Sequence, residues 1–269
     1  MKISIITINF NNLNGLKETA CSVLGQTYTD KELIVIDGGS TDGSAEFISE
    51  HKDSLAYSVS ENDKGIYNAM NKGVSHATGD YVIFMNSGDV FFNSDVLKDV
   101  FDGKEITSDI VYGCTLCSPE PGKAFLRIPH TLDVMQKNRI SAICHQSAFI
   151  KCSLMKEVGY DERYKLLGDY AFFYYCYQHG CSFQKVNKII SIYDTIGVSS
   201  NPKNRWQSYM ETCMIHDLTP NRSAFYFKMI RLSIKEKVKM MLPSAIRGKL
   251  VRLPNGNMPL LPIEGFKQL

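Results

Sequence analysis

Three aspartates and a histidine stand where the sequence could do chemistry. Asp89 closes a polar cluster, Asn86-Ser87-Gly88-Asp89, directly after the apolar run Tyr81–Met85. Such a run, bounded by turn residues, reads as a buried strand of a parallel sheet. Open α/β sheets bind ligands beyond the carboxyl ends of their strands. A carboxylate there can hold a hard cation, since Mg²⁺ or Mn²⁺ on a diphosphate needs only one or two protein carboxylates. The same four residues also make an ordinary turn. Asp37 follows the apolar run Leu33–Ile36 and precedes Gly38 and Gly39, which let a backbone approach a ligand closely. It can accept hydrogen bonds from a base N–H or a ribose hydroxyl, or serve as an Asx-turn or helix cap. Asp169 heads a helical pattern and can act as a general base at a cleft edge or as an N-cap. His145 can orient a substrate or ligate a metal, and a lone histidine is also a common structural residue.

These residues need elements to position them. Ile3–Ile8, Leu33–Ile36, a weaker Leu55–Val59 and Tyr81–Met85 read as four strands. Between them, Leu13, Leu16, Ala20, Val23 and Leu24, then Ala45, Phe47 and Ile48, then Ile66, Ala69, Met70, Val74 and Ala77 recur at helical spacing. Strands alternating with helices make a parallel sheet through right-handed crossovers. The expected fold is therefore α/β, mainly parallel, flanked by helices, with a nucleotide-binding half over residues 1–100. Beyond it the pattern loosens. Asp109–Tyr112 reads as a short strand and Cys117–Pro129, rich in Pro and Gly, as a loop. Gly168-Asp169 opens a helix carrying Phe172, Phe173, Cys176 and Tyr177, and Phe183–Val186 and Ile189–Tyr193 read as closing strands. Gly197–Ser200 reads as a polar loop. Residues 101–215 are expected to form a second half of the same domain, and 216–269 a basic amphipathic extension.

The chain has 269 residues, 44% hydrophobic and 22% charged, with a net charge of +2. Such a balance suits a globular α/β protein and does not advertise nucleic-acid binding. The eight cysteines are scattered; the one close pair, Cys114 and Cys117, is a weak zinc or redox signal, and reduced structural cysteines in a cytoplasmic protein are expected. The N-terminus runs straight into a strand pattern, so no signal peptide is read, and no run of about 18 apolar residues suggests a spanning helix. Charge is uneven: between Lys228 and Arg252 eight Lys and Arg residues face only Glu236, interleaved with Met229, Leu232, Ile234 and Val238. Such a segment suits an anionic membrane surface, and also a solvated face on a packed helix.

Taken together, the stretches Ile5–Asn11, Ser22–Thr27, Glu32–Gly43 and Glu61–Gly73 resemble family 2 glycosyltransferases with the GT-A fold, of the type that builds bacterial O-antigen and capsular polysaccharide. The resemblance covers roughly residues 1 to 200. It implies inverting transfer of a sugar from a nucleotide-diphosphate donor, a UDP-sugar in particular, with a divalent cation as cofactor. It places Ile8, Asn9, Phe10 and Asp37 around the base, Asp63 and Lys64 along the donor site with Asn86 and Gly88, Asp89 on the metal and Asp169 as the general base. His145 and Gln146 fall to the acceptor or diphosphate. The implied acceptor is a lipid-linked saccharide, with the enzyme peripheral on the inner face of the cytoplasmic membrane through residues 222–252. Two motifs depart from the family pattern. The usual Asp-x-Asp reads Asn86-Ser87-Gly88-Asp89, leaving one carboxylate, and the usual Glu-Asp reads Gly168-Asp169. Two other readings stand beside this one. A sugar-phosphate nucleotidyltransferase calls for a glycine-rich basic first turn, where this chain has Asn9-Phe10-Asn11-Asn12. A non-catalytic binding homologue predicts donor binding without turnover.

Overall fold

The computed structural model describes residues 1–120, 122–194, 202–241 and 261–266. In chain order its strands are β1 (Ile3–Asn9), β2 (Lys31–Asp37), β3 (Tyr57–Ser60), β4 (Tyr81–Phe84), β5 (Val90–Phe91), β6 (Ile110–Glu120), β7 (Lys123–Arg127), β8 (Ala148–Lys151), β9 (Phe183–Asp194) and β10 (Leu261–Pro262). The helices are α1 (Leu13–Leu24), α2 (Ser44–Glu50), α3 (Ile66–His76), α4 (Val96–Phe101), α5 (Val134–Lys137), α6 (Cys152–Val158), α7 (Gly168–Gln178), α8 (Arg205–Ile215) and α9 (Arg222–Met241).

One sheet runs β10-β7-β6-β8-β4-β1-β2-β3, with β9 pairing β6 and β5 off that path. The β4-β1-β2-β3 end is parallel, while β8 joins β4 antiparallel. Along β1, β2 and β4 both faces are buried, which is why these strands read as continuous apolar runs. Ile6, Ile34, Ile36, Val82 and Phe84 pack under α3, α6 and α7. Ile3, Ile5, Leu33, Val35, Tyr81 and Ile83 pack under α1 and α4. The expected fold class is the observed one, and the sheet continues unbroken across the boundary expected near residue 100.

The second half corrects several expectations. Cys117–Pro129 is not a loop: it holds the end of β6 and all of β7, an antiparallel hairpin with Leu116 opposite Leu126. Pro119 and Gly122 punctuate this hairpin in sequence, yet Leu116, Ala124 and Leu126 bury themselves with Phe266. The two closing strands are one strand, β9, which follows β6 through register shifts near Tyr112 and Cys114. The end of the chain is not all extension. β10 pairs with β7, and Phe266 is buried. Within the expected amphipathic segment 222–252 the structure describes a helix to Met241; the rest, like the expected loop Gly197–Ser200, lies outside the described residues.

Candidate active site

The carboxyl ends of β1 and β2 lie side by side, with Asn9 in register with Asp37. Asp37 has no exposed surface. Its Oδ1 accepts from Asn9 Nδ2 (2.7 Å) and Ser40 Oγ (2.5 Å), and its Oδ2 from the Ser40 backbone N–H (2.9 Å) and Ser60 Oγ (2.6 Å). Burial works to raise its pKa, but the hydrogen bonds from Ser40, Ser60 and Asn9 hold it below the ordinary carboxylate range. The turn after it is thereby fixed. Contact between Asp37 and a base requires Ser40 or Ser60 to rotate away.

Beside this turn Phe10 is 67% exposed, so its ring is open to stack on a flat ligand. Gly38 runs beneath it: a Cβ there would meet the Phe10 ring at 3.2 Å and an Asp63 carboxylate oxygen at 3.4 Å. Asp63 pairs with Lys72 at 2.5 Å, and Glu61 pairs with the same lysine at 2.7 Å. Lys64 is exposed and gives its backbone N–H to Asn68. Ile8, partly buried, packs against the core and accepts the Ser87 N–H at 3.1 Å, which ties the β1 end to the turn after β4.

That turn is held from α1. Thr19 Oγ1 accepts the Gly88 N–H (3.0 Å) and donates to the Asp89 carbonyl (2.7 Å), while Asn12 Nδ2 donates to the Ser87 carbonyl (3.0 Å). Beyond it opens a cleft of about 410 Å³, lined by Asn86, Asp89, His145, Gln146 and Asp169 among others. The cleft thus unites five of the residues singled out in the sequence; Ile8, Asn9, Phe10, Asp37, Asp63 and Lys64 form the neighbouring cluster, joined to it through Ser87 and Asn12.

Asp169, on the first turn of α7, faces this cleft with 20% of its side chain exposed. His145 Nδ1 lies 2.9 Å from its Oδ2, and the Tyr67 hydroxyl donates to its Oδ1 at 3.2 Å. A proton on Nδ1 serves the carboxylate and leaves Nε2 to face the Asn86 amide at 3.4 Å. Burial pushes the Asp169 carboxyl upward, but the His145 and Tyr67 hydrogen bonds outweigh it and keep the group below the ordinary range. Asp169 is therefore ionised at neutral pH and able to accept a proton. The Gly168 departure has a steric cause: a Cβ there would lie 2.7 Å from the Tyr67 ring, so the same tyrosine that reaches Asp169 excludes the usual glutamate.

Among the described residues no group of three or more His, Cys, Asp or Glu gathers to hold a metal. Asn86 Oδ1 and Ser87 Oγ are nonetheless buried without a hydrogen-bond partner beside Asp89. An orphaned hard oxygen next to a carboxylate fits a cation whose other ligands come from a diphosphate and water. Cys114 and Cys117 do not form a redox pair. Three apart on β6, they point to opposite faces, and all eight cysteines are free. Burial, with the neighbouring Cys144, pushes the Cys117 thiol up to about 12.

The profile described as Glycosyl transferase family 2 matches residues 4–159. The chain belongs to this family. It is 34% identical over 206 residues to an uncharacterised glycosyltransferase of Mycobacterium tuberculosis, covering 74% of this chain and 77% of that one. It is 31% identical over 208 residues to a PGL/p-HBAD biosynthesis glycosyltransferase of Mycobacterium bovis, covering 74% and 78%. Among solved structures, S. aureus TarS 1–349 in complex with UDP-GlcNAc superposes with a TM-score of 0.63 at 18% identity, over 80% of this chain and 66% of that one. The mannosyltransferase PcManGT from Pyrobaculum calidifontis, in complex with GDP-Man and Mn²⁺, gives 0.55 at 19% identity, over 76% and 59%. The chain spans less than two thirds of the length of these two proteins, and the likeness establishes the GT-A fold. The protein is a family 2 glycosyltransferase.

Sequence reasoning missed several residues of this glycosyltransferase site. Tyr67 sat in an apolar helix pattern and gave no polar signal. Arg127, which also lines the cleft, lay in the stretch read as a loop. Asn12 caps α1 by accepting the Gly15 N–H at 3.1 Å, and its second bond, to Ser87, joins residues 75 apart in sequence.

Proposed function

We propose that this glycosyltransferase inverts the anomeric carbon as it moves a sugar from a nucleoside diphosphate, a UDP-sugar first among them, to a saccharide hydroxyl. The observation that carries the reading is that an ionised, hydrogen-bonded Asp169 and Asp89 line one cleft. Asp169 takes the proton of the acceptor hydroxyl as its oxygen attacks the anomeric carbon and the bond to the diphosphate breaks. The developing charge is oxocarbenium-like, as in glycoside chemistry generally. His145 and Tyr67 fix the carboxylate's orientation. Gln146 is buried beside His145 and accepts from the Cys144 thiol at 2.9 Å, which leaves its amide N–H groups for substrate. Asp89 and Asn86 Oδ1 would hold a Mg²⁺ or Mn²⁺ ion, whose charge would offset that of the leaving diphosphate. The UDP-GlcNAc and GDP-Man complexes of the two fold neighbours are consistent with such donors.

The acceptor we propose is a lipid-linked sugar of surface polysaccharide assembly, O-antigen among them, met by a cytoplasmic enzyme lying on the inner face of the membrane. In support, α9 exposes Phe227 (65%) and Ile230 (58%) next to Lys228 and Arg231, the mixed surface that binds anionic lipid. No described helix is long and apolar enough to cross a membrane. The test is calorimetric titration with UDP, GDP and other nucleoside diphosphates, with and without Mn²⁺. Metal-dependent binding of one of them is the expected outcome. Absence of binding under both conditions overturns the donor assignment, and binding without sugar transfer favours the non-catalytic homologue.

A further inference from the structure

The family profile ends at residue 159, yet the catalytic wall of the cleft is fastened from α8. Glu211 on that helix has no exposed surface. Its Oε1 accepts the backbone N–H of Lys165 (2.9 Å) and the Gln207 amide (2.8 Å), and its Oε2 the N–H groups of Leu166 (3.0 Å) and Leu167 (2.8 Å). These partners are all neutral. A buried carboxylate is costly unless its lone pairs are satisfied, and an apolar side chain of similar size would pack without that cost. The charge is accounted for by what it holds.

It holds three consecutive residues that lead directly into α7 and line the cleft. Successive backbone N–H groups form an anion-binding concavity, filled here by the protein's own carboxylate. The N-cap of α7, Leu167, has no side chain to cap the helix. Glu211 instead takes the N–H of Leu167 itself from 44 residues away, one residue before Gly168-Asp169, and so holds the residue on which the helix starts. The strap sets where α7 begins, and so where the Asp169 carboxylate stands against His145 and Tyr67.

We propose that Glu211 is a positioning residue for Asp169: its carboxylate straps residues 165–167 so that the base meets His145 and Tyr67 in register. The proposal rests on the reading of Asp169 as the base. It predicts that a loosened strap lowers turnover while donor binding, at the far side of the cleft, persists.

The experiment compares full-length Glu211→Gln and Asp169→Asn with wild type. It reads amide hydrogen exchange over residues 165–171, UDP affinity with Mn²⁺, and the pH profile of turnover with the donor sugar nucleotide found by titration. In Glu211→Gln an amide NH₂ replaces one acceptor facing the backbone N–H groups. Exchange accelerates, UDP affinity is unchanged, and kcat falls by about 10²-fold at constant donor KM, the size of loss that misplacing a catalytic group causes. The acid limb of the profile moves to higher pH, because Asp169 loses part of its hydrogen bonding; a residue that only supports the fold leaves that limb in place. Wild-type kcat in Glu211→Gln beside an inactive Asp169→Asn overturns the proposal alone. Retained turnover in Asp169→Asn overturns the base reading and this proposal with it. If Glu211→Gln does not fold, Gln207→Leu, which removes one of the four hydrogen bonds, gives the same pattern at smaller amplitude, and unchanged exchange and turnover there refute it.

Discussion

Asp37 and Asp169 are both carboxylates held below their ordinary pKa, and they are built by opposite routes. Asp37 is saturated by donors 28, 3 and 23 residues away, on the ends of β1 and β3 and in the turn after β2. Asp169 takes two side-chain hydrogen bonds, from 24 and 102 residues away, and keeps part of its surface open to the cleft. A carboxylate with every acceptor position filled fixes a turn. One with open valence and a far-gathered shell is poised for chemistry. The cluster we assign to the donor is thus built within adjoining strand ends, and the one we assign to the acceptor is gathered across the molecule.

The sharpest way to break this contrast is to neutralise each carboxylate in turn. Asp169→Asn should lower turnover by about 10²- to 10⁴-fold, the range of a lost general base, with the melting temperature nearly unchanged. Asp37→Asn should do the reverse. An amide NH₂ is set against the Ser40 N–H, an unsatisfied buried group costing about 1–3 kcal/mol, read as a lower denaturation midpoint. A stability loss at Asp169 equal to that at Asp37 would erase the distinction. The acid limb of stability sharpens it further. Glu32, held at about 2 by Lys2, Ser4 and Thr78 against the burial that raises it, and Asp37 both titrate lower when folded than unfolded. Their contribution is complete above the unfolded value, 4.5 for Glu32, and is lost as pH falls through the folded one. Acid unfolding should therefore set in below pH 4.5 and extend towards 2, and Asp37→Asn should flatten that slope.

The same division explains what the sequence made legible. β1, β2 and β4 are buried on both faces and flanked by periodic helices, so their apolar runs and the carboxylates at their ends could be placed from spacing alone. The β6–β7 hairpin alternates Ala124 and Leu126 inward against Phe125 and Arg127, a pattern too short to stand out between Gly122 and Pro129. Asp169 was legible as a residue but its setting was not. Tyr67 and Glu211 reach it across 102 residues and through a loop 44 residues distant, and no local periodicity encodes such contacts. The departure from Glu-Asp was legible at Gly168, but its cause, the Tyr67 ring 2.7 Å from where a Cβ would stand, was not.

Tyr67 offers the two smaller tests. Gly168→Ala forces a methyl to within 2.7 Å of its ring, an overpacking that costs about 1–3 kcal/mol, and the ring can move only by withdrawing its hydroxyl from Asp169. Stability and turnover should fall together, unlike either carboxylate variant. Tyr67→Phe keeps the ring and removes only the hydroxyl, so folding should hold and turnover at neutral pH should drop by about tenfold at most, the net worth of one hydrogen bond. The carboxylate then has one fewer donor against the burial that pushes it up, so the acid limb of the rate profile should move to higher pH. A limb that stays in place would mean that His145 and the Tyr170 backbone N–H set the ionisation of Asp169 without the Tyr67 hydroxyl.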